Sequence, residues 1–268
     1  MIKENPEYYQ ITQELLEVAR KSGEVILSLK NSKIRKSYKD DGDLVTQADH
    51  ASHDIFLQQL NQRFPNIPLI LEEQDNPKFL PPSYIAADEL DGTVIFANGM
   101  AEWGVTLAYI EKGSPVAGVL HQPELKRTII SWYGGGTWYD NEQLTLDNRL
   151  TLNNTIVLVE FNRHLTIDEV LWIKSISTKT MAIRCIATAV GSAIEMLLGK
   201  NGVYLNCRGG KVWDFAAASL AIQEAGGVAL RHEGEALEWT HVPMGVLFAT
   251  SSLLAQEVFK LGKHCNAI

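Results

Sequence analysis

The chain has 268 residues, of which 46% are hydrophobic and 21% charged, with a formal net charge of −8. These proportions are ordinary for a globular protein with a sizeable core, in one large domain or two fused halves. The acidic balance, with no Lys/Arg run, argues against a nucleic-acid partner, and no segment approaches the ~20 apolar residues of a membrane span.

Met1 to Pro6 carries no apolar signal core behind its charges. Cys185, Cys207 and Cys265 lack CxxC spacing, so the expectation is reduced thiols in a cytoplasmic setting. Residues 8–30 place Ile11, Leu15, Leu16, Ala19, Val25, Ile26 and Leu27 at mostly helical spacing, with Gly23 inside the pattern. A polar stretch runs from Asn31 to Asp41. Asp43-Leu44-Val45-Thr46-Gln47-Ala48-Asp49 then leads into a second predicted helix through Ile55, Leu57 and Leu60, punctuated by Pro65 and Pro68. Leu69-Ile70-Leu71 reads as a strand capped by Glu72 and Glu73, and 75–83 as loop.

The next stretch, Tyr84-Ile85-Ala86-Ala87-Asp88-Glu89-Leu90-Asp91-Gly92-Thr93, organises the rest. A short apolar run delivers two carboxylates to a tight turn, a seat for a hard cation. Gly92-Thr93 then exposes backbone N–H groups and a hydroxyl at a helix start, which attracts phosphate. Trp103 to Glu111, Pro115 to His121 and Arg127 to Tyr133 read as an antiparallel meander.

The second half changes texture. Strand-like runs at Thr155 to Glu160, Met181 to Ile186, Val203 to Leu205, Val228 to Arg231 and Gly245 to Thr250 alternate with predicted helices. Those helices are Leu165 to Ser177, Gly191 to Leu198, Trp213 to Ala225 and Ser252 to Gly262. Alternation of this kind predicts an α/β half. Composition places the seam near residue 150, giving halves 1–150 and 151–268.

Asp49, Glu72, Glu73, Asp88, Asp91 and Asp214 all fall at element edges. Each has a purely structural reading. Thr46 and Asp49 fit a capping box, and Asp214 fits an N-cap. Glu72 and Glu73 fit solvated acids past a strand end, and Asp88 and Asp91 fit a turn with Gly92. As a set they argue for metal. Hard divalent cations want several carboxylate oxygens, two cations share an acid, and crowded acids without cations repel.

These motifs, with Trp213-Asp214 and Glu224-Ala225-Gly226-Gly227, resemble the inositol monophosphatase family of Mg²⁺-dependent, lithium-sensitive phosphatases. One Asp-x-x-Asp-Gly-Thr arises by chance in roughly one protein of this size in a few hundred, so the weight rests on several motifs in family order. The resemblance implies an α/β fold with an α+β first half and an α/β second half, layered as an αβαβα sandwich. It implies two or three Mg²⁺ ions per site. Glu72, Asp88 and the Leu90 carbonyl would hold the first; Asp88, Asp91 and Asp214 would hold the second. Thr93 and Asp49 would polarise the attacking water, and the Gly92 and Thr93 N–H groups would receive phosphate. Asp91, Asp214 and a small-residue loop at Gly191-Ser192-Ala193 would line the pocket for a small phosphorylated metabolite. A cytoplasmic homodimer is the family expectation.

Some positions depart from the family. Glu89 stands where proline is usual, and its side chain is expected to face solvent. Leu71 replaces a glycine, and Val94-Ile95-Phe96 follows Thr93 where polar residues are usual. Cys207 stands where inositol phosphatases carry an acid that binds substrate hydroxyls, and it is a poor hydroxyl ligand. Arg208 and Lys211 flank that position and suit a second anionic group. The alternatives to an inositol phosphatase are therefore a 3′-phosphoadenosine-5′-phosphate nucleotidase, a fructose-1,6-bisphosphatase, or a catalytically weak relative acting as a regulatory binding protein.

Overall fold

The computed structural model describes residues 4–30, 34–39, 42–199, 201–240 and 243–263. Cys265, Met1 to Lys3 and part of the polar stretch 31–41 lie outside the described residues. In chain order the elements are α1 (Pro6–Lys30), β1 (Lys36–Tyr38), β2 (Leu44–Thr46), α2 (Gln47–Arg63), β3 (Leu69–Leu71), β4 (Tyr84–Asp91), α3 (Thr93–Ala97), β5 (Gly104–Glu111), β6 (Ser114–Gln122), β7 (Arg127–Trp132), β8 (Gly136–Tyr139) and β9 (Glu142–Leu144). The second half holds β10 (Ile156–Val159), α4 (Ile167–Ser177), β11 (Ala182–Arg184), α5 (Ala189–Leu198), β12 (Asn201–Gly210), α6 (Val212–Glu224), β13 (Val228–Arg231), β14 (Met244–Ala249) and α7 (Ser252–Lys263).

Strand alternation builds the layers. Side chains along a strand point to opposite faces. Leu71, Ile85 and Ala87 pack under α1 and α2, with Leu15, Leu16, Phe56 and Leu60. Their strand neighbours Ile70, Tyr84 and Ala86 pack the other way, against Val190, Ile194, Phe215 and Ala217 of α5 and α6. That central helix layer also meets Leu158, Tyr204 and Phe248 from the second sheet. The opposite face of the second sheet, Val157, Val203 and Leu247, packs on Trp172, Ile173 and Val258 of α4 and α7. Five layers result, α/β/α/β/α, as expected.

The first sheet has seven strands in the order β3-β4-β5-β6-β7-β8-β9, and the second has five in the order β11-β10-β12-β14-β13. Apart from the parallel pair β3–β4, the first sheet is the expected antiparallel meander. The second is mixed, because β10 pairs β12 in parallel while β12 pairs β14 antiparallel. Gly23 sits in α1 because a Cβ there would lie 2.6 Å from Pro123 Cγ. Helix and sheet pack too closely for any side chain at that point. Among the described residues no helix is long and apolar enough to cross a membrane.

Candidate active site

The edge of the first sheet, facing the helix layer, gathers the acids. β3 ends at Leu71 and hands Glu72 to the site, while β4 carries Asp88 and Asp91. Between these two aspartates the ladder with β5 slips: Asp88 pairs Thr106, yet Asp91 pairs Gly104. This bulge adds one residue on β4 and re-aims the strand end. α6 brings in Asp214. Ligand oxygens of Glu72, Asp88 and Asp214 all lie within 4.8 Å of one another.

Several helices begin here, and helix starts favour negative charge. α2 starts at Thr46, α3 at Gly92 and α5 at Thr188. The Asp91 carboxylate accepts the Val190 N–H at the start of α5. Asp214 Oδ2 accepts the Lys211 N–H at 2.6 Å. Asp214 is therefore the third residue of α6, not the N-cap the sequence suggests.

Asp49 serves two partners. Its Oδ2 accepts from Thr46 N at 2.8 Å and Thr46 Oγ1 at 2.6 Å, closing the capping box. Its Oδ1 accepts from Thr93 Oγ1 at 2.8 Å. The Thr93 hydroxyl also lies 3.1 Å from the Leu90 carbonyl. The structural reading of Asp49 and the site reading coexist because each uses a different oxygen.

Gly92 makes the turn possible. Its φ is +91°, and an added Cβ would sit 2.3 Å from Thr188 Cγ2. Gly92→Ala is expected to cost at least about 1–2 kcal/mol from the left-handed backbone alone, with more from the clash. A melting temperature equal to wild type would contradict that reading of the turn.

The electrostatics are those of crowded acid. Burial, then Glu72, Asp91 and Asp214, pushes the Asp88 carboxyl well above its usual range. Burial, then Glu72 and Asp91, does the same to Asp214. Burial raises Asp91 to about 7 and Asp49 upward as well. Glu160, just past β10 on the same cavity wall, is raised to about 7 by burial and then by Asp91. So many buried acids in one place suit a hard divalent cation, whose charge would let them ionise together. The donor set, all oxygen, fits Mg²⁺.

A pH dependence follows. Asp91 and Glu160 hold protons up to about pH 7 in the fold, whereas unfolded carboxyls release theirs near pH 4. Between those values the folded state binds more protons, so stability falls as pH rises, by up to about 1.4 kcal/mol per pH unit per group. Metal-free protein is expected to melt higher at pH 5 than at pH 7. A flat or rising melting temperature over that window would contradict the crowding.

Several side chains stand differently from the expectation. Glu89 does not face solvent; it is 0% exposed. Its Oε2 accepts the Glu72 N–H at 3.1 Å, and its Oε1 meets His53 Nδ1 at 2.6 Å. The bulged strand turns this side chain inward against α2. Glu72 and Glu73 are not simply solvated, because Lys39 Nζ lies 2.9 Å and 2.6 Å from their carboxylates. Ser192 and Ala193 are no loop: they are buried in α5, which starts two residues before Gly191. The cavity wall there is Ala187, Thr188 and Ala189. Cys207 is buried, and burial raises its thiol to about 12. It lines a separate, neighbouring cavity with His232 and Met244. Arg208 reaches both cavities, and its Nε is 2.9 Å from Glu169 Oε1.

The cavity over the acids has a volume of about 720 Å³ and includes Asp91, Glu160, Thr188, Asn206, Arg208 and Asp214. Its rim carries Lys36, Tyr38, Arg163 and His164. Glu160 was not anticipated from sequence, although an acid ending a short apolar, strand-like run is the same signal that marked Glu72.

The chain is similar to known proteins over most of its length. The chain is 28% identical over 241 residues to the 3′(2′),5′-bisphosphate nucleotidase CysQ of Salmonella typhimurium, covering 85% of this chain and 93% of that one. It is 25% identical over 197 residues to the fructose-1,6-bisphosphatase/inositol-1-monophosphatase of Thermotoga maritima, covering 72% and 73% of the two chains. Its fold matches the crystal structure of an IMPase/NADP phosphatase complexed with Mg²⁺ and phosphate, with a TM-score of 0.84, 19% identity and 95% coverage of each chain. Residues 7–264 match a single family description, and the chain belongs to the inositol monophosphatase family.

Proposed function

We propose that the protein is a Mg²⁺-dependent phosphatase that hydrolyses a small phosphate monoester, most like inositol 1-phosphate, by direct attack of water. The observation that carries this reading is the convergence of Glu72, Asp88 and Asp214 within 4.8 Å, beside the Thr93–Asp49 hydrogen bond of 2.8 Å. Glu72, Asp88 and the Leu90 carbonyl would hold one cation; Asp88, Asp91 and Asp214 would hold a second. The bound cations supply Lewis-acid stabilisation of phosphoryl charge and lower the pKa of water.

The chain's own residues do the rest. Thr93 Oγ accepts the proton of the attacking water and passes its own to Asp49 Oδ1. The raised affinity of Asp49 for a proton suits that role. The Gly92 and Thr93 N–H groups at the start of α3 receive the phosphate oxygens. No covalent enzyme intermediate is needed. The Thr93–Asp49 hydrogen bond beside the converged acids supports catalysis over a purely regulatory binding role.

The rim favours a second substrate class. Lys36, Arg163, His164 and Arg208 stand around a cavity of about 720 Å³, and position 207, a cysteine on the neighbouring cavity, supplies no hydroxyl-binding acid. A bisphosphate, with its second anion at the rim, is the alternative.

Phosphate release from inositol 1-phosphate, fructose 1,6-bisphosphate and 3′-phosphoadenosine 5′-phosphate, each with and without Mg²⁺, tests both readings. A higher kcat/KM on the monophosphate supports the first, and a higher one on either bisphosphate supports the second. No Mg²⁺-dependent release from any of the three sinks both.

A further inference from the structure

Glu89 is the one acid of β4 turned away from the cation-binding cluster, and it ties three elements together. It sits in the bulge between Asp88 and Asp91. Its carboxylate accepts the backbone N–H of Glu72 at 3.1 Å and of Glu73 at 3.4 Å. On the other side Oε1 meets His53 Nδ1 of α2 at 2.6 Å. Its own carbonyl accepts from Ser52 Oγ at 2.7 Å, and Ser52 in turn meets Ser22 of α1 at 2.6 Å. Burying a carboxylate is costly unless donors surround it, and here those donors come from β3's end and from α2.

The consequence is geometric. Glu72 follows a three-residue strand, and Lys39 attracts its side chain from outside, at 2.9 Å. The Glu89 carboxylate grips the backbone on the other side. Together with the bond from the Glu72 N–H to the Ala87 carbonyl at 3.3 Å, this grip references Glu72 to the same β4 segment that carries Asp88. We propose that Glu89, oriented by His53, is a positioning residue that sets the spacing of Glu72 from Asp88 and so tunes the site's affinity for a divalent cation. This rests on the metal-dependent reading above.

The test is a Mg²⁺ titration of the full chain followed by thermal stabilisation, with phosphate release measured alongside. Glu89→Gln keeps the shape but replaces one carboxylate oxygen with an NH₂ group, so it cannot accept both at the Oε2 position, from the Glu72 N–H, and at the Oε1 position, from Glu73 and His53. Groups that orient metal ligands typically carry 10–100-fold in metal affinity. Glu89→Gln is therefore expected to raise the Mg²⁺ concentration for half-maximal stabilisation about tenfold or more, with kcat recovering at saturating Mg²⁺. His53→Ala is expected to move the midpoint in the same direction by less, and His53→Asn, which keeps an N–H donor, to restore it. A lower melting temperature with an unmoved Mg²⁺ midpoint in the Glu89 and His53 variants would overturn the proposal, leaving a purely structural tie. Should Glu89→Gln fail to fold, the two His53 variants decide. Wild-type protein with no Mg²⁺ response would overturn the metal-dependent reading and the positioning role with it, whereas a wild-type response with unmoved variants overturns the positioning role alone.

Discussion

Asp88→Asn is expected to abolish turnover while leaving the fold intact. In the proposed arrangement Asp88 is shared between both cations, so its loss weakens both. Each ~1.4 kcal/mol of lost transition-state stabilisation is a factor of ten. Cations that supply several kcal/mol thus imply a fall of about 10³-fold or more. Stability should behave differently. Asp88 is 3% exposed and pressed by Glu72, Asp91 and Asp214, so the neutral amide removes repulsion from the metal-free protein. Its Oδ1 can still accept the Leu90 N–H, which lies at 2.8 Å. The variant is expected to melt no lower than wild type without Mg²⁺ and to gain little when Mg²⁺ is added. Turnover within tenfold of wild type would sink the shared-ligand role.

Thr93→Ala is expected to separate proton handling from metal binding. The hydroxyl contacts Asp49 and the Leu90 carbonyl and is not itself among the groups proposed to hold the cations. Its removal should leave the Mg²⁺ midpoint of thermal stabilisation near the wild-type value. The rate should drop about 10²–10⁴-fold, the range for a positioned proton-transfer group. Thr93→Ser keeps the hydroxyl and should recover most of it. If Thr93→Ala turns over normally, Asp49 is only the cap of α2 and the water is activated without this pair.

Local features of the site were readable because local chemistry dictates them. Asp88, Asp91, Gly92 and Thr93 lie on one strand–turn–helix unit, and the turn demands a left-handed residue at Gly92. The layers were implied by the family resemblance, and the structure gives their physical cause, since Ile70/Leu71 and Ala86/Ala87 each divide between two cores. What was missed depends on distant partners. Nothing beside Glu89 in the chain reveals that His53, on another element, waits behind it. Lys39 is likewise distant in sequence from the glutamates it pairs. β12 runs from Asn201 to Gly210 through Asn206, Arg208 and glycines with weak strand preference; its pairing with β10 and β14 supplies the order. The residues themselves predict a helix from Gly191, and only the family resemblance made Ser192 and Ala193 a loop; the structure keeps both buried in α5, with Ala193 in the core shared with α6.

The cation-binding claim is tested most directly by a crystal grown with Mn²⁺, which shares the oxygen preference of Mg²⁺, and inspected for anomalous scattering. The account predicts peaks between Glu72, Asp88 and Asp214 and against Asp91, on the side facing Thr93. Fully occupied Mn²⁺ elsewhere on the protein, with none among these four carboxylates, would contradict it.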